Sequence, residues 1–384
     1  MKGRLRGITT IAVTVIGIAL IDVAFAANQR WLDQHFLPSF FLTRSEYVRI
    51  EWVVRLGIGI VGISVALIAP FVARFLTSRI LRLAISMGIA AVLALVAGEL
   101  VLHYWNMGPA EWLAPEDEPR RQPDARLGWT LVPARVGHKT IGGRDVEYAV
   151  DANGYRVRAL DEPVDPDKPA ILFAGESMMF GEGLNWDESV PARVGATMQI
   201  QSANLSVHGF STDQIYLRLQ HELPRFRRPV AVVTLFTTVL FGRNLDDGRP
   251  HLGPGLAWLP AVEHTRLKAL ATVLVPYRST RTVDRGLLVT RETLRATVDL
   301  AREHGALPLI VVPQFGREDQ LEQSLRHRIL DETGLPYTFV EIDQAWRLSW
   351  NQHPDERASR LLSSAIASWL QANGARESIF TISH

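Results

Sequence analysis

The chain has 384 residues, of which 47% are hydrophobic, and 41 Lys and Arg stand against 40 Asp and Glu. Balanced charge leaves no basic excess for a nucleic acid partner. With no cysteine, disulfides, thiol catalysis and thiolate metal ligands are excluded. The eleven histidines form no H-x-x-x-H, so neither a metal nor another cofactor is expected, and the length allows two or three structural units.

The first elements are apolar runs. Residues 8–27 carry one charge, Asp22; residues 56–73 carry none; residues 83–102 carry only Glu99. Each is long enough to cross about 30 Å of hydrocarbon as a helix, so residues 1–105 are expected to be a membrane region embedded in a lipid bilayer. Lys2, Arg4 and Arg6 precede the first run, and Arg74, Arg79 and Arg82 fill the link between the second and third. Basic flanks stay cytoplasmic, which predicts a multi-pass inner-membrane protein with its C-terminal part in the periplasm or outside. The end of the first run, Ala24-Phe25-Ala26, also resembles a signal-peptide cleavage site; cleavage there would leave the C-terminal part on the same side. Gly57-x-Gly59-x-x-Gly62 fits a dinucleotide fingerprint in letters only. It lies inside an apolar run and not between a strand and a helix, so it reads as small residues that let membrane helices approach closely.

Residues 106–168 are rich in Pro, Asp, Glu and Arg and read as a linker with one short hairpin turning at Asn153-Gly154. From 169 to 384 the pattern becomes strand–helix alternation, with strands expected at 170–174, 203–207, 230–236, 308–315 and 337–342. Such alternation implies a parallel sheet covered on both faces, whose sites lie beyond the carboxyl ends of its strands. Gly175-Glu176-Ser177 falls at such an end. Residues 242–286 read as a loop-rich insertion of the kind that covers a site.

At this point the order of the pieces resembles the SGNH/GDSL hydrolases, and more narrowly their membrane-anchored bacterial members. The residues concerned are Asp124, Leu127, Gly128, Trp129 and Pro133, then Val150–Arg156, then the serine block. The resemblance covers roughly 124–372. It implies a flavodoxin-like three-layer α/β/α domain with a five-stranded parallel sheet, preceded here by three transmembrane helices. It also implies Ser177 as nucleophile and His353, in Asn351-Gln352-His353-Pro354, as base. The Ser177 and Gly209 amides would bind the oxyanion.

The chain departs from that pattern at three places. Glu176 replaces the Asp before the serine. Thr238, or Thr237 after a slip of one residue, stands where the family has its oxyanion asparagine; Asn244, six residues on, is a distant substitute. Asn351 or Trp350 stands where the family has the Asp that orients the histidine, which leaves Asn351, Glu176, Asp343 or a backbone carbonyl for that task. His208 reads first as a loop residue. There is no G-x-S-x-G, the signature of a different hydrolase fold.

The resulting expectation is a membrane-anchored serine esterase or O-acyltransferase, attenuated by these changes. It would act on acyl groups, acetyl first, of a cell-envelope or exported polysaccharide, an acylated glycan substrate. A transferase would need a membrane partner to present its acyl donor. The competing reading is a catalytically impaired SGNH-like glycan-binding or accessory protein. Trp258 and Phe241 in the insertion would suit stacking on sugars, or packing of a cover.

Overall fold

The computed structural model of the chain describes residues 2–37, 44–75, 78–104, 117–274, 277–349 and 352–375. They form two compact units, one gathering the N-terminal helices together with His264–Arg278 and the other the rest. The first unit begins with helices α1 (Lys2–Ala26), α2 (Gln29–His35), α3 (Arg44–Phe75) and α4 (Ser78–Tyr104). Stretches of three of them, Arg6–Ala26, Arg44–Val72 and Ser86–Tyr104, are long and apolar enough to cross a membrane. Their large side chains face outward, with Leu93 63% exposed. Water-soluble folds rarely leave a continuous apolar surface of this size open.

The helix pair α1–α3 is set by two glycines. A Cβ on Gly17 would lie 2.6 Å from the Ala66 amide nitrogen and 2.7 Å from Gly62 O; one on Gly62 would lie 2.8 Å from Gly17 O. Small residues are what allow membrane helices this close. Of the fingerprint-like glycines Gly62 sits closest to α1, a Cβ on Gly59 would only reach ordinary contact with Ala24 Cβ at 3.7 Å, and one on Gly57 would meet nothing within 4 Å.

The second unit opens with the hairpin β1 (Arg121–Asp124) and β2 (Gly128–Leu131). Then follow β3 (Arg135–Ile141), β4 (Arg144–Val150) and β5 (Arg156–Val157). The core alternates: β6 (Ala170–Ala174), α5 (Ser177–Phe180), α6 (Val190–Met198), β7 (Gln201–Asn204), α7 (Thr212–Glu222), β8 (Pro229–Leu235) and α8 (Thr238–Asn244). A two-stranded ribbon, β9 (His251–Leu252) with β10 (Trp258–Leu259), precedes α9 (Arg266–Leu274). The chain closes with α10 (Thr280–Glu303), β11 (Leu307–Phe315), α11 (Gln320–Arg326), β12 (Tyr337–Ile342) and α12 (Glu356–Ala372).

One sheet runs β12-β11-β8-β6-β7-β5-β4-β3. Its first five members pair in parallel, which is the expected flavodoxin-like set. The other three are antiparallel and come from residues expected to be linker and hairpin. They cover the edge of β7, where Arg156 pairs with Asn204, and move that edge of the sheet out to β3. Every residue of β6 and β8 is buried, as a sheet covered on both faces requires. One layer packs α6 with α12, the other α7 with α10.

The insertion is less loop-like than its composition suggests. Its helix α9 belongs to the first unit, where both carboxylate oxygens of Glu99 accept backbone N–H groups, from Arg266 at 2.7 Å and Leu267 at 2.8 Å. The lone acid of the third apolar run therefore caps a helix start. Past the other end of α9, Arg278 N donates to His35 O at 2.8 Å, and the Tyr277 ring stacks on His35 at 5.4 Å.

Candidate active site

β6 ends at Ala174, and the chain must turn at once into α5. Gly175 permits this, because a Cβ there would lie 2.5 Å from Met179 Cβ and 3.2 Å from a Leu235 methyl. Glu176 caps α5, its Oε1 accepting the Met178 amide at 2.9 Å. Ser177, the first residue of α5, is buried, with its Oγ 2.7 Å from His353 Nε2 and 2.5 Å from Glu176 Oε2. A hydroxyl has one hydrogen and here two acceptors. When Ser177 donates to His353 it cannot donate to Glu176, so the carboxylate competes for the proton that the histidine would take.

Burial pushes the Glu176 carboxyl up, while Arg243, at 3.3 Å, and His353 pull it down. Together with hydrogen bonds from Ser177 and the Met178 amide, they hold the group below the ordinary carboxylate range. It is therefore ionised at neutral pH. His353 sits between β12 and α12 on a loop held at several points: its carbonyl accepts from Leu348 N at 2.7 Å, and Asp355 N donates to Trp346 O at 3.0 Å. Asp355 then caps α12 through the Arg357 and Ala358 amides. Asn351 and Trp350, the two positions expected to hold the orienting group, lie outside the described residues. Asp343 spends one carboxylate oxygen on the Ala345 amide.

β7, β6 and β8 are neighbours in the sheet, so the residues that follow them share one end of it. After β7 comes Gly209, with φ +78°, a left-handed conformation that glycine adopts without steric cost. Thr238, one expected oxyanion donor, is the first residue of α8, and Thr237 is its cap, with the side-chain oxygen accepting the Leu240 amide at 3.3 Å. In the alternative alignment Thr237 uses its oxygen as the cap acceptor and keeps its hydroxyl hydrogen to donate. Asn244 is bonded elsewhere with both side-chain groups: its Oδ1 accepts Thr212 N at 3.0 Å and its Nδ2 donates one hydrogen to Thr290 Oγ1 at 2.8 Å. Phe241 is fully buried and packs the core rather than a sugar. Trp258 is 40% exposed and donates its indole N–H to Arg126 O at 3.1 Å.

Several charged neighbours escape a reading by motif. His208 lies over the Phe180 ring at 4.2 Å and forms an ion pair with Glu182. Burial would raise Glu182, yet His208 foremost, then His353 and Lys139, bring it down to about 2. Arg156 is fully buried and donates to the carbonyls of Phe180 at 2.6 Å, Gly181 at 2.9 Å and Leu184 at 2.6 Å. It fixes the segment that leaves α5. The only hint in the letters is its place at the end of Val150–Arg156. Among the described residues, no group of three His, Asp or Glu gathers as a metal site.

The chain matches no protein-family model and no curated protein. Solved structures similar to it include a lipolytic protein of the G-D-S-L family from Desulfitobacterium hafniense DCB-2, at 14% identity and TM-score 0.33, over 52% of this chain and 98% of that one. An acetyl xylan esterase from the rumen bacterium Butyrivibrio proteoclasticus is similar at 10% identity and TM-score 0.34, over 55% of this chain and 65% of the other. The aryl esterase of M. smegmatis is similar at 12% identity and TM-score 0.34, over 53% of this chain and 99% of the other.

Proposed function

We propose that this chain is a membrane-anchored serine hydrolase of ester bonds, with Ser177 as nucleophile and His353 as base. The observation that carries the reading is the 2.7 Å contact between Ser177 Oγ and His353 Nε2, two groups 176 residues apart that the sheet brings together. Ser177 gives its hydrogen to Nε2 as Oγ bonds to the acyl carbon. The oxyanion rests on the Ser177 and Gly209 amides with the Thr238 hydroxyl. His353 then passes the proton to the departing alkoxide, leaving an acyl-enzyme. Water attacking with His353 again as base releases the acid; a sugar hydroxyl in its place gives transfer.

The substrate class we infer is an O-acetyl or related acyl ester on a cell-envelope or exported glycan. An inner-membrane anchor with this unit outside supports that inference. Within the first unit, α9 starts on Glu99, near the end of α4, and Arg278, four residues past α9, bonds His35 of α2, which follows α1. Those points share a face if the three spanning helices alternate in direction from a cytoplasmic N-terminus. A transferase would further need a membrane partner to present its donor.

Glu176 favours a second reading, a glycan-binding protein with impaired turnover. Its ionised carboxylate competes for the Ser177 proton, and Thr238 reaches less far than an amide would.

Because part of the insertion belongs to the membrane unit, the test uses the whole protein in detergent. p-Nitrophenyl acetate turnover and fluorophosphonate labelling are expected, both abolished in Ser177→Ala. His353→Ala is expected to lower turnover by about 10³-fold or more. A folded protein that neither labels nor turns over would support the binding reading instead.

A further inference from the structure

Three consecutive carbonyls of the loop after β7 each accept a hydrogen bond from a long side chain. Trp129 Nε1 donates to His208 O at 2.9 Å, Arg249 Nη1 to Gly209 O at 2.7 Å, and Arg243 Nη1 to Phe210 O at 3.0 Å. The donors come from far along the chain, Trp129 from β2 and the arginines from α8 and the segment after it. They also brace one another. The Arg249 guanidinium lies over the Trp129 ring at 5.5 Å and is held by Asp246 at 3.1 Å. The same Arg243 nitrogen that holds Phe210 O reaches Glu176 Oε2 at 3.3 Å, beside the nucleophile.

Peptide planarity turns these contacts into a statement about direction. In a trans peptide the C=O of one residue and the N–H of the next point opposite ways. Pinning His208 O on the Trp129 indole therefore fixes where the Gly209 N–H points, and pinning Gly209 O fixes the Phe210 N–H, which is spent on Val207 O at 3.3 Å. The Gly209 N–H meets no acceptor among the described residues. Glycine at φ +78° has more freedom to rotate than any other residue. A donor that must be aimed thus sits where the backbone is least able to aim itself.

We propose that Trp129 and Arg249, which pin the two peptide planes flanking Gly209, are positioning residues that aim its N–H at the oxyanion formed on Ser177. The assignment rests on the hydrolase reading above. It makes the start of the insertion part of the catalytic machinery instead of a detachable cover. A well-aimed donor to a developing oxyanion is worth about 10²–10³ in rate, and mis-aiming one forfeits part of that.

The experiment uses the full-length protein in detergent, with Trp129→Phe, which removes the indole N–H and keeps a ring, and Arg249→Gln. Three quantities are read: kcat and KM on p-nitrophenyl acetate, affinity for an arylboronic acid, and thermal unfolding. The boronic acid bonds to Ser177 Oγ as a tetrahedral anion, the serine proton passing to His353, so it reports oxyanion binding directly. Each variant is expected to lose roughly ten- to a hundredfold in kcat and in boronate affinity, with KM within about twofold. Unchanged boronate affinity in both variants, or losses confined to KM or to the unfolding temperature, would overturn the proposal in favour of a purely structural clamp. A wild-type protein whose Ser177 takes up neither boronate nor fluorophosphonate would sink the proposal together with the function beneath it.

Discussion

The two units hold their backbones in place by opposite means. Where α1 meets α3, side chains are absent: Gly17 and Gly62 bring backbone to within van der Waals distance of backbone. Around the candidate active site, long cations reach across space instead, Arg156 to three carbonyls and Arg243 and Arg249 to two more. In hydrocarbon, removing side chains is an effective way to bring helices together, because apolar surface there gains nothing by burial. In a buried loop region of the other unit, carbonyls that leave the strand ladder need donors, and an unpaired one costs about 1–3 kcal/mol. The packing rule follows the solvent.

The contrast can be broken most severely at Arg156. Arg156→Met keeps much of the apolar stem but strands three carbonyls, so a loss of about 3–5 kcal/mol is expected. Chemical denaturation followed by tryptophan fluorescence would measure it, and a loss under 1 kcal/mol would show that water replaces the guanidinium. Asp213 sharpens the same contrast from the other side. It is a buried acid whose carboxyl, despite bonds from Leu252 N and Thr293, is pushed up by burial to about 6. The folded state therefore holds the proton more tightly than the unfolded chain between pH 3.8 and about 6. On that account stability falls as pH rises through this window, by at most about 3 kcal/mol. Unfolding midpoints at pH 4 and pH 7 should show that slope in the wild type and lose it in Asp213→Asn. In the membrane unit, Gly62→Val forces a side chain into backbone. A loss of about 1–3 kcal/mol is expected, read as a lowered unfolding temperature in detergent, whereas Gly57→Val, with open space around it, should be near neutral.

What was legible in the letters follows the same division. Punctuation was readable: β6 and β12 run over the expected residues, and Gly175, Ser177, Gly209 and His353 stand where a strand end or a helix start required them. The strand expected at 203–207 is assigned as Gln201–Asn204. Its second half leaves the ladder with β6 yet still sends Leu205 N to Phe173 O and Val207 N to Gly175 O. Arginines that act through carbonyls were not readable. Arg243 and Arg249 lie in a stretch where charge suits any exposed loop, and only the folded chain decides which oxygens come within reach. The helix inside the insertion was missed for a related reason. Nine residues, Arg266–Leu274, are too few to show helical periodicity clearly, and their start is capped by Glu99, 167 residues earlier.

The Arg266–Leu274 helix has a bearing on proteolytic shedding. Because the chain passes from one unit into the other and back around His264–Arg278, a single nick in the stretch after the third apolar run would not liberate a clean soluble fragment. The downstream piece would still carry a helix that starts on Glu99 and, just past its end, an Arg278 bonded to His35. Release would take two further cuts, on either side of that helix, or the rupture of its footing among the membrane helices. A secreted form of this protein made by trimming its N-terminus alone would therefore begin life with an orphaned segment to rebury.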